Sequence, residues 1–311
     1  MTERAKIAVF GTGAVGGYFG ARLLAAGEDV AFIARGRQLE ALRRDGLSVV
    51  SPNGDLHLRE LVVSDRPEDI GPVDIVLFCV KLYDVEEAAA HLVPLLGPDT
   101  AVVTIQNGVD VVDLIARRVG ADRAVGGAAY IMASLDAPGR IRHTAKETLV
   151  FGERDGARSA RLAAFEAAGV RAGYNATLST SIDVDLWIKF VRLATWAGIT
   201  TVSRSTVGVI RDNPALSAMM RAAFDEAIAV GRARGISFLP EIAAETEALV
   251  SRFPYEAKSS MLEDLEHGRR LELPWLSGAL VRMGREAGVP TPVHQFIAAA
   301  LGPFVGGSGT R

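Results

Sequence analysis

The chain has 311 residues, 49% of them hydrophobic and 23% charged, a composition that excludes a disordered or fibrous protein and allows two ordinary domains. Its 34 Lys and Arg residues stand against 37 Asp and Glu residues, giving a net charge of -3. This balance argues against a dedicated nucleic-acid binder, which would carry a basic excess. The single cysteine, Cys79, excludes an internal disulfide and a cysteine-built zinc cluster.

Short β-type runs alternate with helical stretches through the first half of the chain, which predicts βαβ units and a mainly parallel sheet. Strands are predicted at Ile7–Phe10, Asp29–Ala34, Leu61–Ser64, Asp74–Val80, Ala101–Ile105 and Ala124–Gly127. Helices are predicted between them, at Val15–Ala26, Val85–Leu96 and Val109–Arg118. Farther on, we expect a hairpin of Arg140–Thr144 with Thr148–Phe151, and a last strand near Val170–Tyr174.

After Ser179 the strand signal ends and only helical patterns follow. Helices are predicted at Ile182–Ile199, Pro214–Arg234, Pro240–Arg252, Ser259–His267, Pro274–Ala287 and His294–Leu301. We therefore predict an α/β fold with an N-terminal Rossmann-type dinucleotide-binding domain over residues 1–177 and a C-terminal all-helical domain over residues 178–304. The Gly- and Ser-rich residues 305–311 are expected to form a flexible tail.

No apolar run reaches the roughly 18 residues of a membrane span, and Lys6–Phe10 is too short for a signal-peptide core. We expect a soluble, cytoplasmic protein with neither a membrane nor a nucleic-acid partner. The five histidines show no metal-ligand spacing, so no metal site is expected. The sequence leaves the oligomeric state open, a homodimer included.

The segment Gly11-Thr-Gly13-Ala-Val-Gly16 directly follows the first predicted strand and opens a helix. Gly11 would allow the tight turn, Gly13 would let the backbone approach a pyrophosphate, and Gly16 would permit close packing of helix on strand. The free N–H groups of the helix N-terminus favour an anion at the same place. The pattern in this context predicts a dinucleotide site rather than an ordinary glycine turn.

The end of the second predicted strand favours NADPH over NADH. An NAD site usually ends this strand with Asp or Glu, which binds the ribose 2′-hydroxyl. Here the strand runs into Ala34-Arg35-Gly36 with no acid. Arg35 could pair with the 2′-phosphate of NADPH through charge-assisted hydrogen bonds, although a solvated surface arginine would fit the same pattern.

An ordered set of motifs resembles the ketopantoate reductase (2-dehydropantoate 2-reductase) family over nearly the whole chain, from about Lys6 to Leu301. Besides the glycine motif, it comprises Ala34-Arg35-Gly36, Val80-Lys81, Gln106-Asn107-Gly108, Pro138–His143, Phe151-Gly-Glu153, Trp187-Ile-Lys189 and Ser259–Asp264. The resemblance implies a Rossmann domain, a helical domain and an active site in the cleft between them. It also implies NADPH-dependent reduction of ketopantoate to (R)-pantoate for coenzyme A synthesis.

The resemblance also assigns roles to individual residues. Lys189 matches the family's catalytic lysine, and Glu272 matches the glutamate that holds substrate and lysine. Ser260 matches the serine that binds the substrate carboxylate. Lys81 and Asn107 match residues near the nicotinamide and the substrate. A lysine suits this chemistry, because hydride addition to a ketone creates an alkoxide that needs a cation and a proton.

Two positions depart from the family pattern. The family usually carries asparagines four and eight residues after the lysine, where this chain has Leu193 and Ala197. Both lie near the Lys189 face of a helix, so hydrogen bonds to the 4-hydroxyl end of ketopantoate would be lost. Arg192, Thr195 and Trp196 are candidates to compensate.

Three functions therefore remain open. The first is ketopantoate reductase with a variant pocket. The second is a paralogous NADPH-dependent reductase of a different, less polar 2-oxo acid. The third is a non-catalytic NADPH-binding sensor, which the retained Lys189 and Glu272 disfavour because a mere binder needs no proton donor.

Overall fold

The computed structural model describes residues 4–308 and divides the chain into two compact units. The first comprises the chain up to Gln106 together with Asp110–Asp185. The second comprises Asn107–Val109 and the chain from Leu186 onward. Within residues 4–308, none of the helices combines the length and apolar character needed to cross a membrane.

The first unit is built on a ten-stranded sheet. Its strands are β1 (Lys6–Phe10), β2 (Asp29–Ile33), β3 (Leu47–Val50), β4 (Leu56–Leu58), β5 (Val62–Ser64), β6 (Val73–Phe78), β7 (Leu96–Thr104), β8 (Ala124–Ala137), β9 (Arg140–Gly152) and β10 (Asn175–Leu178). They lie in the order β4-β3-β9-β8-β7-β6-β1-β2-β5, with β10 added beside β9. The pairs from β5 through β8 are all parallel, whereas β8–β9 and β3–β4 are antiparallel.

Helices connect the parallel strands, as βαβ units require. They are α1 (Ala14–Ala25), α2 (Gly36–Asp45), α3 (Val85–Ala89), α4 (Val111–Val119) and α5 (Ala160–Arg171). The central strands β1 and β6 read as nearly continuous apolar runs because they are buried on both faces. Their side chains join those of α1 and α5 in one core that includes Tyr18, Phe19 and Phe165.

Two predictions at the end of this unit are wrong. The expected hairpin within residues 140–151 is instead one strand, β9, whose antiparallel partner is β8 across the turn at Gly139. The register shifts between the pairs Ile131–Glu147 and Met132–Ala145, so Lys146 is an extra residue in β9. In the sequence alone, such an interruption resembles a turn. The last strand is β10, because Val170 still belongs to α5.

Among its described residues, the second unit contains helices joined by loops and no strand. Its helices are α6 (Ile182–Ser203), which begins in the first unit, α7 (Val207–Asp212), α8 (Pro214–Ala233), α9 (Ile242–Ser251), α10 (Ser260–Glu266), α11 (Ser277–Ala287) and α12 (Pro292–Leu301). Their apolar faces form a separate core around Phe190, Phe224, Leu280 and Ile297. The predicted fold class, an N-terminal α/β domain followed by a helical domain, is confirmed.

The division between the units differs from the expected one at residue 177/178. It falls at Asp185/Leu186, because polar side chains tie the first turn of α6 to the first unit. Ser179 donates a hydrogen bond to Asp185, and Arg154 pairs with Asp183 at 3.2 Å.

The expected flexible tail also differs over its described part. Leu271 N–H donates to the Val305 carbonyl at 3.0 Å, and Ser308 N–H donates to the Gly268 carbonyl at 3.0 Å. These two backbone bonds anchor residues 305–308. Residues 309–311 of the expected tail lie outside the described residues.

Candidate active site

The glycine motif forms the turn between β1 and α1, and each glycine has a different reason to be there. Gly11 has a φ of +99°, which favours glycine, and a Cβ at this position would lie 2.9 Å from the Val80 nitrogen. At Gly16 a Cβ would lie 2.5 Å from the Gly11 carbonyl oxygen and 2.8 Å from Cys79 Cβ. Gly13 differs, since a Cβ there would meet no described atom within 4 Å. Gly11 and Gly16 thus shape the turn, while Gly13 leaves open space beside the N-terminus of α1.

The turn is held rigidly against the end of β2. The N–H groups of Gly11 and Thr12 both donate to the Ile33 carbonyl at 3.1 Å, and the Thr12 hydroxyl donates to the same oxygen at 3.0 Å. Gln38 of α2 donates to the Thr12 carbonyl at 2.8 Å and accepts from Gly139 N–H at 2.9 Å. A rigid backbone with open space at Gly13 and a helix N-terminus behind it fits the pyrophosphate of a dinucleotide.

Arg35 stands between β2 and α2, where the sequence predicts it. It occupies the N-cap position of α2, and no side chain of the described residues caps that helix there. Its guanidinium lies 3.2 Å from an Asp84 carboxylate oxygen and 3.4 Å from one of Glu87. The Arg35 side chain remains 68% exposed, so it is accessible to a ligand. An arginine beside an uncapped helix N-terminus fits a 2′-phosphate.

Lys81 lies just beyond the carboxyl end of β6, next to the glycine turn, and is exposed. It is the N-cap residue of a 3₁₀ helix, Leu82–Asp84, and its carbonyl accepts from Asp84 N–H at 2.9 Å. Open α/β sheets bind ligands at the carboxyl ends of their strands. The first unit therefore brings a group of predicted site residues to the carboxyl edge of its sheet: Gly11, Gly13, Gly16, Arg35 and Lys81.

The helical unit brings Asn107, Lys189 and Glu272 together. The Asn107 side-chain amide donates to a Glu272 carboxylate oxygen at 3.3 Å, across 165 residues of sequence. Glu272 is buried, with 9% exposure, at the start of a 3₁₀ helix, Leu273–Trp275. Lys189 lies on α6. The three groups come from three separate segments, so tertiary packing builds this cluster.

The electrostatic environment of Lys189 suits proton transfer. Burial lowers the pKa of its ammonium to about 8, and the negative charge of Glu272 opposes that shift. A pKa near neutrality leaves the group largely protonated at pH 7 yet able to release its proton readily. The charge of Glu272 thus helps to keep a partly desolvated ammonium protonated.

Ser260 is the first residue of α10 and is exposed. The capping residue is its neighbour Ser259, whose hydroxyl accepts from Leu262 N–H at 3.1 Å. Ser259 also shares a hydrogen bond of 2.7 Å with Thr200, three helical turns beyond Lys189 on α6. That bond fixes the start of α10 against α6 and leaves the Ser260 side chain to the surface.

The positions after Lys189 on α6 are apolar, as the sequence shows. Leu193 is partly buried and Ala197 is fully buried in the second core. Arg192 turns to α9, where it contacts the Thr246 hydroxyl at 3.3 Å and Glu245 at 3.5 Å. Its guanidinium is therefore engaged away from Leu193 and Ala197.

Trp196 and Thr195 carry buried polar groups without a hydrogen-bond partner among residues 4–308. Trp196 packs edge-on against Phe253, with ring centroids 3.9 Å apart. It follows Lys189 by seven residues, close to two full turns, so both share one face of α6. Thr195 is one residue earlier and faces another direction.

Sequence reasoning missed the residues that support these sites. Asp84 and Glu87 meet Arg35, yet Glu87 is 52 residues away in the sequence. Gln38 lies on α2, the strongly charged segment Gly36–Asp45, where the sequence pattern predicted no helix. The alternation of Leu39 and Leu42 with charged residues is the signal that could have identified it.

The fold and the glycine turn together define a nicotinamide-dependent oxidoreductase of the two-domain type, and sequence comparison narrows the class. The family described as "Ketopantoate reductase PanE/ApbA" matches residues 7–156, and its C-terminal counterpart matches residues 181–304. A 2-dehydropantoate 2-reductase of Mesorhizobium japonicum is 32% identical over 317 residues, covering 95% of this chain and 96% of the relative. The chain belongs to the ketopantoate reductase family.

Other relatives give the same picture. A 2-dehydropantoate 2-reductase of Archaeoglobus fulgidus is 33% identical, with 93% of this chain and 94% of the relative covered. The crystal structure of 2-dehydropantoate 2-reductase from Geobacter metallireducens matches with a TM-score of 0.89 at 29% identity, covering 96% of this chain and 99% of that one. The family resemblance and the fold class predicted from the sequence are confirmed.

The fold is shared more widely. A ternary structure of D-mandelate dehydrogenase with NADH and anilino(oxo)acetate matches with a TM-score of 0.86 at 22% identity, over 96% of this chain and 97% of that one. At this identity the match shows a common fold.

Proposed function

We propose that this protein reduces the 2-keto group of 2-dehydropantoate to (R)-pantoate, the reaction of pantothenate and coenzyme A biosynthesis, with Lys189 as the proton donor. The observation that carries the proposal is the cluster of Lys189, Glu272 and Asn107 in the helical unit. Relatives at about 30% identity that are 2-dehydropantoate 2-reductases support the substrate.

NADPH, when bound, supplies the hydride. Gly11, Gly13 and Gly16 would hold its pyrophosphate at the N-terminus of α1, and Arg35 would pair with its 2′-phosphate. The open space at Gly13 and the exposed guanidinium of Arg35 support this assignment. Lys81, at the carboxyl end of β6, and Asn107 would contact cofactor and substrate.

Lys189 supplies the proton that the reduced oxygen needs. As the carbonyl carbon gains a hydride, negative charge develops on the oxygen, and the ammonium stabilises it and then donates a proton. The lowered pKa makes this donation easier, because the ammonium is a stronger acid than an ordinary lysine. Glu272, whose charge raises the pKa of Lys189, keeps the group charged before the reaction.

Asn107 and Ser260 have binding roles in this proposal. Asn107 donates to Glu272 at 3.3 Å, which orients the carboxylate beside the lysine. Ser260 would bind the substrate carboxylate. Its side chain is exposed at the first residue of α10, which supports that role because the hydroxyl is accessible to a ligand.

A second candidate is a paralogous reductase of a less polar 2-oxo acid. The observation that favours it is the apolar face of α6 beyond Lys189, where Leu193 and Ala197 offer no hydrogen bond to a substrate hydroxyl. Burying an unpaired hydroxyl costs about 1–3 kcal/mol, so a substrate lacking it would be favoured there.

A competition between two substrates separates the candidates. Oxidation of NADPH by the purified protein would be followed with 2-dehydropantoate and with the 2-oxo acid of the same carbon skeleton that lacks the 4-hydroxyl. A kcat/KM at least about tenfold higher for 2-dehydropantoate supports the first candidate. A higher value for the analogue supports the second, and no oxidation with either excludes both.

A further inference from the structure

The end of β2 carries a compact group of three charges outside the proton-transfer cluster. Arg35 lies 3.2 Å from Asp84 and 3.4 Å from Glu87. The Asp84 side chain is 25% exposed and that of Glu87 is 71% exposed. One guanidinium thus faces two carboxylates, and the group carries one net negative charge.

The two carboxylates approach Arg35 from a single surface. Asp84 ends the 3₁₀ helix after Lys81, and Glu87 lies three residues later on α3. A spacing of three residues places both side chains on one face of a helical segment. Arg35 therefore bridges the segment after β6 and the segment after β2, beside the uncapped N-terminus of α2.

A 2′-phosphate and a 2′-hydroxyl would meet this group very differently. A phosphate monoester carries a charge of about −1.5 to −2 at neutral pH. To bind Arg35 it must draw the guanidinium away from Asp84 and Glu87, and it then lies near two like charges. A ribose hydroxyl brings no charge and can donate a hydrogen bond to a carboxylate, as the acid at the end of β2 does in NAD sites.

We propose that Asp84 and Glu87 set the cofactor choice of this protein: by holding Arg35 they oppose the 2′-phosphate of NADPH and keep NADH a usable cofactor. The proposal rests on the proposed function, because it takes the adenosine ribose to lie at the end of β2. It assigns the preference to the balance between Arg35 and two carboxylates from another segment, rather than to Arg35 alone.

The test is direct binding of both cofactors to Asp84→Asn, Glu87→Gln and the double variant. Dissociation constants for NADPH and NADH would be measured by fluorescence titration of the whole chain without substrate. The double variant is expected to bind NADPH about tenfold more tightly, with NADH changed less than about twofold. Half a molar NaCl should shrink that gain, because the charges of Arg35 and Glu87 are exposed and therefore screened.

Glu86→Gln is the matched control. Glu86 is exposed on the same helix and its loss removes the same charge, but it is not paired with Arg35 in the structure. It should leave the ratio of the two dissociation constants unchanged. An equal effect of Glu86→Gln, or an unchanged ratio in the double variant, would overturn the proposal.

The binding data also separate this proposal from the proposed function. A shifted ratio in a protein that reduces no 2-oxo acid would support the role of Asp84 and Glu87 while excluding the reductase. Failure of the unaltered protein to bind either cofactor would overturn both. Melting temperatures of all variants confirm that each is folded, and they should stay close to that of the unaltered protein because ion pairs near the surface contribute little to stability.

Discussion

The two units of this protein build their sites in different ways. In the sheet unit, backbone geometry makes the site: a glycine turn, two helix N-termini and one arginine at the ends of neighbouring strands. In the helical unit, side chains make it, with Asn107, Lys189 and Glu272 meeting from separate segments. The residues that form the first kind of site lie close together in the sequence, whereas those of the second kind meet only when the chain folds.

This difference predicts a separation of effects. Changes in the sheet unit should alter cofactor affinity and leave the proton transfer alone, whereas changes around Lys189 should do the reverse. Lys189→Ala and Arg35→Ala test that separation directly, and either variant would break it by altering both properties.

Lys189→Ala is expected to have the largest effect. Loss of a general acid typically costs about 10²–10⁴-fold in rate, so kcat should fall by at least about 100-fold. The dissociation constant for NADPH should stay within about twofold of that of the unaltered protein, because no residue of the cofactor turn changes. Stopped-flow reduction and fluorescence titration measure the two quantities, and near-normal turnover would remove Lys189 from the mechanism.

Gly16→Ala and Gly13→Ala form a matched pair within the sheet unit. A Cβ at Gly16 would lie 2.5 Å from the Gly11 carbonyl oxygen, so the variant should lose about 1–3 kcal/mol of stability. At Gly13 a Cβ meets no described atom within 4 Å, so Gly13→Ala should keep its melting temperature while binding NADPH more weakly. Calorimetry measures the melting temperature of each variant, and cofactor titration measures its affinity for NADPH. Equal melting temperatures of the two variants would contradict the separate roles of Gly13 and Gly16.

Arg35→Ala should weaken the binding of NADPH about tenfold more than the binding of NADH, because a charge-assisted contact to the 2′-phosphate is lost. The kcat at saturating NADPH should stay nearly constant. Steady-state kinetics with both cofactors provide the measurement. Equal weakening of NADPH and NADH would show that Arg35 does not contact the 2′-phosphate.

Leu193→Asn should restore a polar group on the Lys189 face of α6. We expect kcat/KM for 2-dehydropantoate to rise several-fold relative to the analogue without the 4-hydroxyl, since one amide can then bond the hydroxyl. Leu193 is only partly buried, so the change is tolerable there. An unchanged ratio would mean that Leu193 does not line the substrate site.

Glu272→Gln should have the smallest effect of these variants, which is a shift in the pH dependence of kcat. The carboxylate raises the pKa of Lys189, so its neutralisation lowers that pKa further below about 8. Because the protonated amine is the active form, the fall in rate at high pH should begin at a lower pH. A pH profile of kcat measures this, and a shift to higher pH would contradict the charge interaction.

The sequence predicted the glycine turn between β1 and α1 because the determinants of this turn are local. Glycine spacing, the preceding strand and the following helix lie within a few residues of each other, and Arg35 follows one strand later. It also predicted the helical second unit, since each helix carries its own apolar period and its own Gly or Pro boundaries.

Other features could not be predicted because they depend on partners far away in the chain. The carboxylates at Arg35 come from another βα connection, and the pairing of β8 with β9 replaces an apparent hairpin. Glu272 became a candidate only through the family resemblance, and its contact with Asn107 was not predicted, because no short motif links residues 165 positions apart.

The lowered pKa of Lys189 has a chemical consequence of its own. At a pKa of about 8, a fraction of the amine is neutral near pH 7, and a neutral desolvated amine is a nucleophile toward ketones. A 2-oxo acid beside such an amine could condense with it to an imine and trap the enzyme. The negative charge of Glu272 lowers the neutral fraction, so under the proposed mechanism the carboxylate that keeps the proton donor charged would also limit imine formation with the substrate.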